Sequence, residues 1–224
     1  CRTVRSFTNS VRLLSKKAGA FCFCVLLKER RNLYMSKSYS KTRILVECAL
    51  MIAVGTVLSS IKFFTLPNGG SITLFGMLPF VLVSFRHGTK WGLFTGFANA
   101  CLQILLDFYA PPTPGLIYLL GEVLLDYMFS CMALGLAELF ARPFKKRVVG
   151  IAVGTFVAGF LDFFCSFLAG LLLWPNLSDT LPGWAYSLVY NGSYMLPETL
   201  LTMAAAVLLY KVVPQLFDRQ TARA

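Results

Sequence analysis

The sequence has few of the side chains that enzymes and metalloproteins use. It contains one histidine, His87, and ten acidic residues among 224. One imidazole cannot supply a His-rich metal site. Because His87 lies in a short basic turn, where we expect it to be solvated, it is also not placed for a Ser–His pair inside an apolar segment. We predict neither a metal ion nor another cofactor.

Two further patterns are absent. The chain has no glycine-rich nucleotide-binding loop of the Walker type, so it cannot power transport by ATP hydrolysis on its own. Of its seven cysteines, only Cys22 and Cys24 form a close pair, and no second pair completes a zinc site. We expect free cysteines that pack as small apolar residues.

Charged residues make up only 14% of the chain, whereas apolar residues make up 57%, a balance too apolar for a soluble domain. Several apolar runs approach the ~20 residues that a helix needs to cross ~30 Å of hydrocarbon. The second and third runs are short enough to form one re-entrant hairpin, but their total length favours two tilted spans. The sequence predicts an all-α membrane protein with about six transmembrane helices, at residues 43–64, 71–86, 89–108, 115–140, 148–174 and 185–213.

The net charge of +11 is unevenly distributed. Residues 1–34 contain eight Lys or Arg and one Glu, a net charge of +7, whereas residues 35–224 contain thirteen Lys or Arg and nine acids, a net charge of +4. The basic residues of the second part lie mostly in short loops, where membrane topology accounts for them. We therefore predict no nucleic-acid partner.

Residues 1–34 are basic and rich in serine, so a targeting segment is one interpretation. We favour another. Met35 is followed by a short basic lead into the first apolar run, and residues 28–34 are what a purine-rich ribosome-binding site would encode if it were read in frame. We expect the native protein to start at Met35, with residues 1–34 as an upstream extension or basic leader and residues 35–224 as the membrane domain. The codons of Arg30 and Arg31 test this expectation.

Positive charge predicts the orientation. Four groups of basic residues precede the first segment, separate the second from the third and the fourth from the fifth, and follow the sixth. They are Lys37, Lys41 and Arg43; Arg86 and Lys90; Arg142, Lys145, Lys146 and Arg147; and Lys211, Arg219 and Arg223. All four groups fall on one side of the membrane, so the positive-inside rule predicts that both termini are cytoplasmic.

Carboxyl groups lie inside the last three apolar segments. Glu122 and Asp126 are four residues apart and share one helical face. Asp162 lies near the middle of the fifth segment, and Glu198 lies in the sixth. A carboxylate at mid-span costs roughly 2.5–3.5 kcal/mol on insertion scales, so it faces a cavity or a partner. For Asp162 and Glu198, hydrogen bonding between helices is an equally good interpretation; for Glu122 and Asp126 we favour a cavity.

The outer ends of the same segments carry aromatic and amide groups. Trp174 ends the fifth segment, and the sixth has a polar stripe at helical spacing. Its members are Tyr186, Tyr190, Asn191, Tyr194 and Glu198. Trp184 opens the sixth segment, and we expect it to belong to an interfacial aromatic belt; Trp174 either belongs to the same belt or lines a pocket with its neighbours. Carboxylate, indole, phenol and amide groups together would hold a flat, cationic heteroaromatic ligand through charge and stacking.

Several motifs lie at these positions. The last segment begins YSLVYNGSYMLPE (186–198), the fourth contains LLDY (124–127), and NGGSITLFGMLPF and FRHGTKWGLFTGF occupy 68–80 and 85–97. From about residue 42 to residue 213 the chain resembles the thiamine-specific substrate-binding (S) components of energy-coupling-factor (ECF) vitamin transporters. The resemblance implies a six-helix bundle in the bacterial inner membrane, with both termini cytoplasmic. It also implies high-affinity thiamine binding near the outer face, in a pocket closed by the loop before the second helix.

The resemblance assigns roles to individual residues. Asp126 would be the carboxylate near the thiazolium cation, and Trp174 would stack on a ring of the ligand. Tyr186 and Asn191 would hydrogen-bond its polar edges, and Tyr127 would border the pocket.

The resemblance also implies partners. Uptake would need a transmembrane coupling subunit and two ATPase subunits. Ala49 and Ala53, one turn apart in the first segment, would form the small-residue motif that docks on the coupling subunit, although ordinary helix packing explains the pair equally well.

Two positions of the pocket depart from the family pattern. Ser166 follows Cys165 where the family has a histidine, and Asn99 stands where some members have a tryptophan. Together with Glu122, these residues complete the set that we expect to line the pocket. Because an aromatic contact is lost, the ligand is either thiamine or a related molecule such as a thiamine precursor.

The residues alone leave two other classes of function possible. A small intramembrane enzyme would use Glu122 and Asp126 as an acid pair, but the sequence offers no second reactive group beside them. A channel or secondary transporter would often show an internal repeat with paired broken helices, and the two halves of this chain show none.

Overall fold

Helices make up most of the chain in a computed structural model, which describes residues 41–66 and 70–218. The described elements are α1 (Lys41–Ser60), β1 (Lys62–Thr65), β2 (Ser71–Thr73), α2 (Leu78–His87), α3 (Thr89–Leu106), α4 (Leu116–Leu134), α5 (Ala137–Ala141), α6 (Arg147–Leu173), α7 (Gly183–Val212) and a 3₁₀ turn (Pro214–Phe217). The predicted extension at residues 1–34 and the start at Met35 lie outside the described residues.

Four of these helices, α1, α4, α6 and α7, are long and apolar enough to cross a membrane. The helix α2 has ten residues and is too short to cross ~30 Å of hydrocarbon by itself, at ~1.5 Å per residue. It turns directly into α3 at Gly88, whose φ of 90° lies in the region that favours glycine.

A short β-hairpin replaces the ends of the first two predicted helices. The prediction extended the first helix to residue 64 and began the second at residue 71. Instead, α1 ends at Ser60, and β1 pairs with β2 in antiparallel register, with Phe64 opposite Ile72 and Thr65 opposite Ser71. Aromatic and β-branched residues favour strands, whereas hydropathy alone does not separate a short strand from a helical turn.

The two longest helices, α6 and α7, pack along a face of small residues. On α6 this face includes Gly159 and Gly170, which lie against Thr199 and Ser187 of α7. A Cβ atom added at Gly159 would lie 2.6 Å from the hydroxyl oxygen of Thr199 on α7. Small side chains therefore let the two backbones approach closely, as is typical of membrane helices.

Ion pairs join the elements at the end of the bundle where α2 turns into α3. Glu47 of α1 accepts a hydrogen bond from Arg86 Nε and lies 2.9 Å from His87 Nε2. Because His87 is only 7% exposed, the prediction that it is solvated is wrong: its ring is buried against Glu47. Nearby, Arg147 pairs with Glu138 at 3.0 Å and also donates to the carbonyl of Phe217. The 3₁₀ turn is thereby tied to α5 and α6.

We predict that Gly96→Ala separates α3 from α4. A Cβ atom at residue 96 would collide with the backbone carbonyl group of Cys131, which cannot move without shifting α4. Overpacking of this kind typically costs about 1–3 kcal/mol, so the thermal unfolding midpoint in detergent should fall by several degrees. Gly183→Ala is the matched control, since a Cβ atom there meets nothing within 4 Å. Equal midpoints for the two variants would contradict the prediction.

Candidate functional site

A cavity of about 870 Å³ lies between the hairpin and the helices α1, α3, α4, α6 and α7. This volume is within the range of small-molecule sites. All eight side chains that the sequence singles out for a ligand pocket line it: Asn99, Glu122, Asp126, Tyr127, Ser166, Trp174, Tyr186 and Asn191. Residues far apart in the chain are thus brought to one cavity.

A π-helical turn at Val123–Phe129 interrupts α4 where it borders the cavity. Such a turn closes its hydrogen bonds one residue later than an α-helix does, and it is frequent at functional sites. Asp126 and Tyr127 lie within this turn, and Glu122 immediately precedes it. All three side chains line the cavity. Glu122 and Asp126, which the sequence places on one helical face, therefore line the same cavity.

Five carboxyl groups line the cavity: that of Asp107, which follows α3, and the four of Glu122, Asp126, Asp162 and Glu198, which lie within α4, α6 and α7. Three of these four accept a hydrogen bond from a neutral donor: Trp174 Nε1 donates to Glu122 at 3.1 Å, Ser130 donates to Asp162, and Thr73 donates to Glu198. Asp126 lies beside Ser166. Within the described residues, none of the four takes part in an ion pair.

The cavity has little positive charge to set against these groups. Lys62 is the basic residue that lines it, and its Nζ lies 3.2 Å from a carboxylate oxygen of Asp107. A ligand therefore meets an excess of carboxyl oxygens, which favours cationic over anionic ligands.

Aromatic rings form part of the cavity wall. The indole of Trp174 stacks on Tyr109, with 5.8 Å between ring centroids and 23° between planes. Tyr186 stacks on Tyr190 at 6.0 Å, and Tyr190 meets Tyr194 edge to face. Sequence reasoning missed Tyr109, because it lies in a proline-rich connection that carries no periodic signal.

The hairpin closes the cavity on one side. The backbone N–H of Gly70 donates to the hydroxyl of Tyr190 at 3.2 Å, and Thr73 of β2 reaches Glu198 of α7. The segment before α2, where the family resemblance implies a pocket-closing loop, is thus joined to the last helix by two side-chain hydrogen bonds.

The amide group of Asn191 is largely used within the protein. Its Nδ2 donates to the carbonyl oxygens of Ser166 and Ser187, at 3.3 and 3.0 Å, and its Oδ1 accepts a hydrogen bond from Tyr194 at 2.9 Å. Because Ser166 lies on α6, Asn191 links α6 to α7 at the level of the cavity.

Tyr127 also has protein partners. Its hydroxyl accepts a hydrogen bond from the backbone N–H of Tyr109 at 2.8 Å and donates to the carbonyl of Asp107 at 3.3 Å. It therefore holds the connection after α3 against α4.

The two positions that depart from the family pattern also lie at the cavity wall. Ser166 and Asn99 are both buried, and the amide of Asn99 lies 3.6 Å from the sulfur of Cys131. Both side chains are small and polar, so they leave room where a ring would fill the wall.

Comparison with known proteins identifies the family that the sequence motifs resemble. The family model described as "Thiamine transporter protein (Thia_YuaJ)" matches residues 45–218. The chain is similar to the thiamine transporter ThiT of Bacillus subtilis (strain 168), with 28% identity over 190 residues that cover 80% of this chain and 95% of that protein. It is also similar to the thiamine transporter ThiT of Lacticaseibacillus paracasei, with 26% identity over 191 residues, 78% of this chain and 90% of that one.

Two solved structures have a similar fold. One is ThiT from Listeria monocytogenes, with a TM-score of 0.67 and 24% identity over 79% of this chain and 98% of that chain. The other is described as the S component of a bacterial ECF transporter, with a TM-score of 0.51 and 16% identity over the same shares. At these identities the likeness establishes the fold.

We predict that Tyr127→Phe loosens the connection between α3 and α4. The variant keeps the ring but removes both hydrogen bonds of the hydroxyl, each worth about 0.5–1.5 kcal/mol net. Limited proteolysis at residues 107–115, without ligand, should be faster than in the unsubstituted protein. Tyr118→Phe is the control, since the Tyr118 hydroxyl has no hydrogen-bond partner among the described residues. The prediction fails if both variants are cleaved at the same rate.

Proposed function

Because the chain belongs to the thiamine transporter protein family, we propose that it binds thiamine as the substrate-specific S component of an ECF-type transporter in the bacterial cell membrane. The single observation that carries this proposal is the cavity. It combines a stacked indole with four carboxyl groups that have no ion-pair partner among the described residues, and thiamine combines a permanently cationic thiazolium with a flat aminopyrimidine ring. Membership of a transporter family replaces the hypothesis that Glu122 and Asp126 form the acid pair of an enzyme.

We propose roles for the lining residues on the same basis. Asp126 faces the thiazolium, where its carboxylate offsets the permanent charge in a site of low dielectric constant. Trp174 stacks on a ring of the ligand through the face that Tyr109 leaves uncovered. Tyr186 offers its hydroxyl to a polar edge, and Asn191 offers the remaining lone pair of its Oδ1. Tyr127 borders the site.

Ser166 and Asn99 widen the pocket and make it more polar. A molecule that shares one cationic or heteroaromatic ring with thiamine, such as a thiamine precursor, is therefore the second candidate ligand. What supports it is the missing ring at residue 166, which leaves one side of the bound ligand without an aromatic contact.

The proposed topology has six spans with both termini in the cytoplasm. The four basic groups of the sequence support it, since Arg86 contacts both Glu47 near the start of α1 and the carbonyl of Gln215 after α7, and Arg147 contacts the carbonyl of Phe217. The helix α3 forms the third span. The second consists of β2, residues 74–77 and α2, because extended residues, at ~3.3 Å each, lengthen a ten-residue helix.

Partners supply the energy in this proposal. With no Walker loop in the sequence, a transmembrane coupling subunit and two ATPase subunits would drive release of the vitamin into the cell. Ala49 and Ala53 are both exposed on α1, and small side chains let a partner helix approach closely. We propose this face of α1 as the docking site for the coupling subunit.

We predict that Asp126→Asn abolishes most thiamine binding while the protein stays folded. The amide has nearly the same shape but no charge, and loss of a desolvated charge pair weakens affinity by about 30-fold or more. Titration of the purified protein with thiamine, followed by quenching of tryptophan fluorescence, measures this. Asp179→Asn, in the exposed loop before α7, is the matched control. Unchanged affinity in the Asp126→Asn variant would remove Asp126 from the site.

We predict that Ser166→His tightens thiamine binding by about two- to tenfold, because an aromatic contact is typically worth 0.5–1.5 kcal/mol. The Ser166→Leu variant fills a similar volume without a ring. Comparison of its thiamine affinity with that of Ser166→His therefore distinguishes aromatic stacking from simple filling of the pocket. If neither substitution improves thiamine binding, while a thiamine precursor binds the unsubstituted protein more tightly than thiamine does, the second candidate ligand replaces the first.

A further inference from the structure

Trp174 has two protein partners for its ring, although it lies beyond the end of α6. It follows α6 in extended conformation, with φ −106° and ψ 141°. A tryptophan at such a place in a membrane protein often lies free at the lipid–water interface. Here the ring has two protein partners: Tyr109 covers one face, and Glu122 accepts a hydrogen bond from Nε1 at 3.1 Å.

Both partners of the indole depend on α4. Glu122 belongs to α4 itself and is only 2% exposed. Tyr109 is fixed by its backbone N–H, which donates to the hydroxyl of Tyr127 in the π-helical turn. The helix α4 thus holds the edge of the indole directly through Glu122, and it holds the face of the indole indirectly through Tyr109. The orientation of the Trp174 ring therefore depends on α4, although Trp174 itself follows α6.

The position of Glu122 argues against direct contact with a ligand. Its carboxyl group lies between the indole of Trp174 and Asp126, one helical turn further on. A buried carboxyl group is expensive unless it is hydrogen-bonded, and the indole N–H provides that bond. Because Asp126 lies deeper in the π-helical turn and beside Ser166, it is the better placed of the two acids to meet the ligand's charge.

We propose that Glu122 is a positioning residue, which holds the indole of Trp174 in the orientation that stacks on the ligand and does not itself contact the ligand. The inference rests on the proposed function only where it names thiamine as the stacking ligand. Its physical effect is pre-organisation: a ring that is already ordered in the empty site does not have to be immobilised when the ligand binds.

The test uses the full chain with Trp174 as its single tryptophan. The sequence has three tryptophans, so Trp91→Phe and Trp184→Phe provide the background. Glu122→Leu removes the acceptor, and Glu122→Gln keeps one in its side-chain carbonyl. Without ligand, the Leu variant should show lower fluorescence anisotropy of Trp174 and stronger quenching by acrylamide, and the Gln variant should restore both.

Thiamine titrations of the same proteins complete the test. We expect about two- to tenfold weaker binding for Glu122→Leu and recovery for Glu122→Gln. In a Trp174→Phe background, which has no indole N–H to hold, Glu122→Leu should cause no further loss of affinity, as followed by calorimetry. This comparison separates positioning of Trp174 from a general effect on folding.

Three results would overturn the inference. They are unchanged anisotropy and quenching in Glu122→Leu, a loss of affinity in Glu122→Gln as large as in Asp126→Asn, and a further loss from Glu122→Leu in the Trp174→Phe background. Should Glu122→Leu not yield folded protein, Glu122→Met, which keeps an unbranched side chain of similar length but has no carboxyl acceptor for the indole N–H, is tested with the same readouts. An anisotropy change as expected, without any binding of thiamine, would instead contradict the proposed function and leave the positioning role intact.

Discussion

The energetic cost of burying carboxyl groups in a membrane protein organises this structure. Glu122, Asp162 and Glu198 each accept a hydrogen bond from a neutral donor in another element, and these bonds lower the cost of burial. The same bonds also hold the fold together. The bond to Glu122 joins α4 to the end of α6, the bond to Asp162 joins α4 to the middle of α6, and the bond to Glu198 joins the hairpin to α7. The donors leave lone pairs on the carboxyl oxygens. The same groups therefore stabilise the bundle and keep the cavity attractive to a cation.

Residues that line the cavity were predictable because a polar side chain in an apolar span must face either a cavity or a hydrogen-bonding partner. Asp126 and Tyr186 could be assigned to a shared pocket from helical spacing and from the family motifs alone. Three features were not predictable. Hydropathy does not distinguish a strand such as Ser71–Thr73 from a helical turn, and no local sequence pattern predicts the π-helical turn in α4. Tyr109 reaches the site from an irregular connection, which has no periodic pattern to identify it.

Several side chains near the cavity combine two tasks. Asn191 holds α7 to α6, and Tyr127 holds the α3–α4 connection to α4. Both residues also line the cavity. A substitution at either residue therefore changes the shape of the cavity as well as its chemistry. His87 shows the opposite case. Its short basic turn predicts exposure, but packing against α1 buries the ring, because Glu47 supplies a partner that is distant in sequence.

The pairing of Glu47 with Arg86 and His87 has a consequence for α1. Two of the three buried residues of this helix, Ile44 and Cys48, flank Glu47 in its first half, and the third, Gly55, is the last point of close packing before the hairpin. The N-terminal end of α1 is therefore anchored, while its other end continues into β1 with few buried residues. A displacement of the hairpin would therefore be carried to the C-terminal half of α1 more readily than to the half that Glu47 holds.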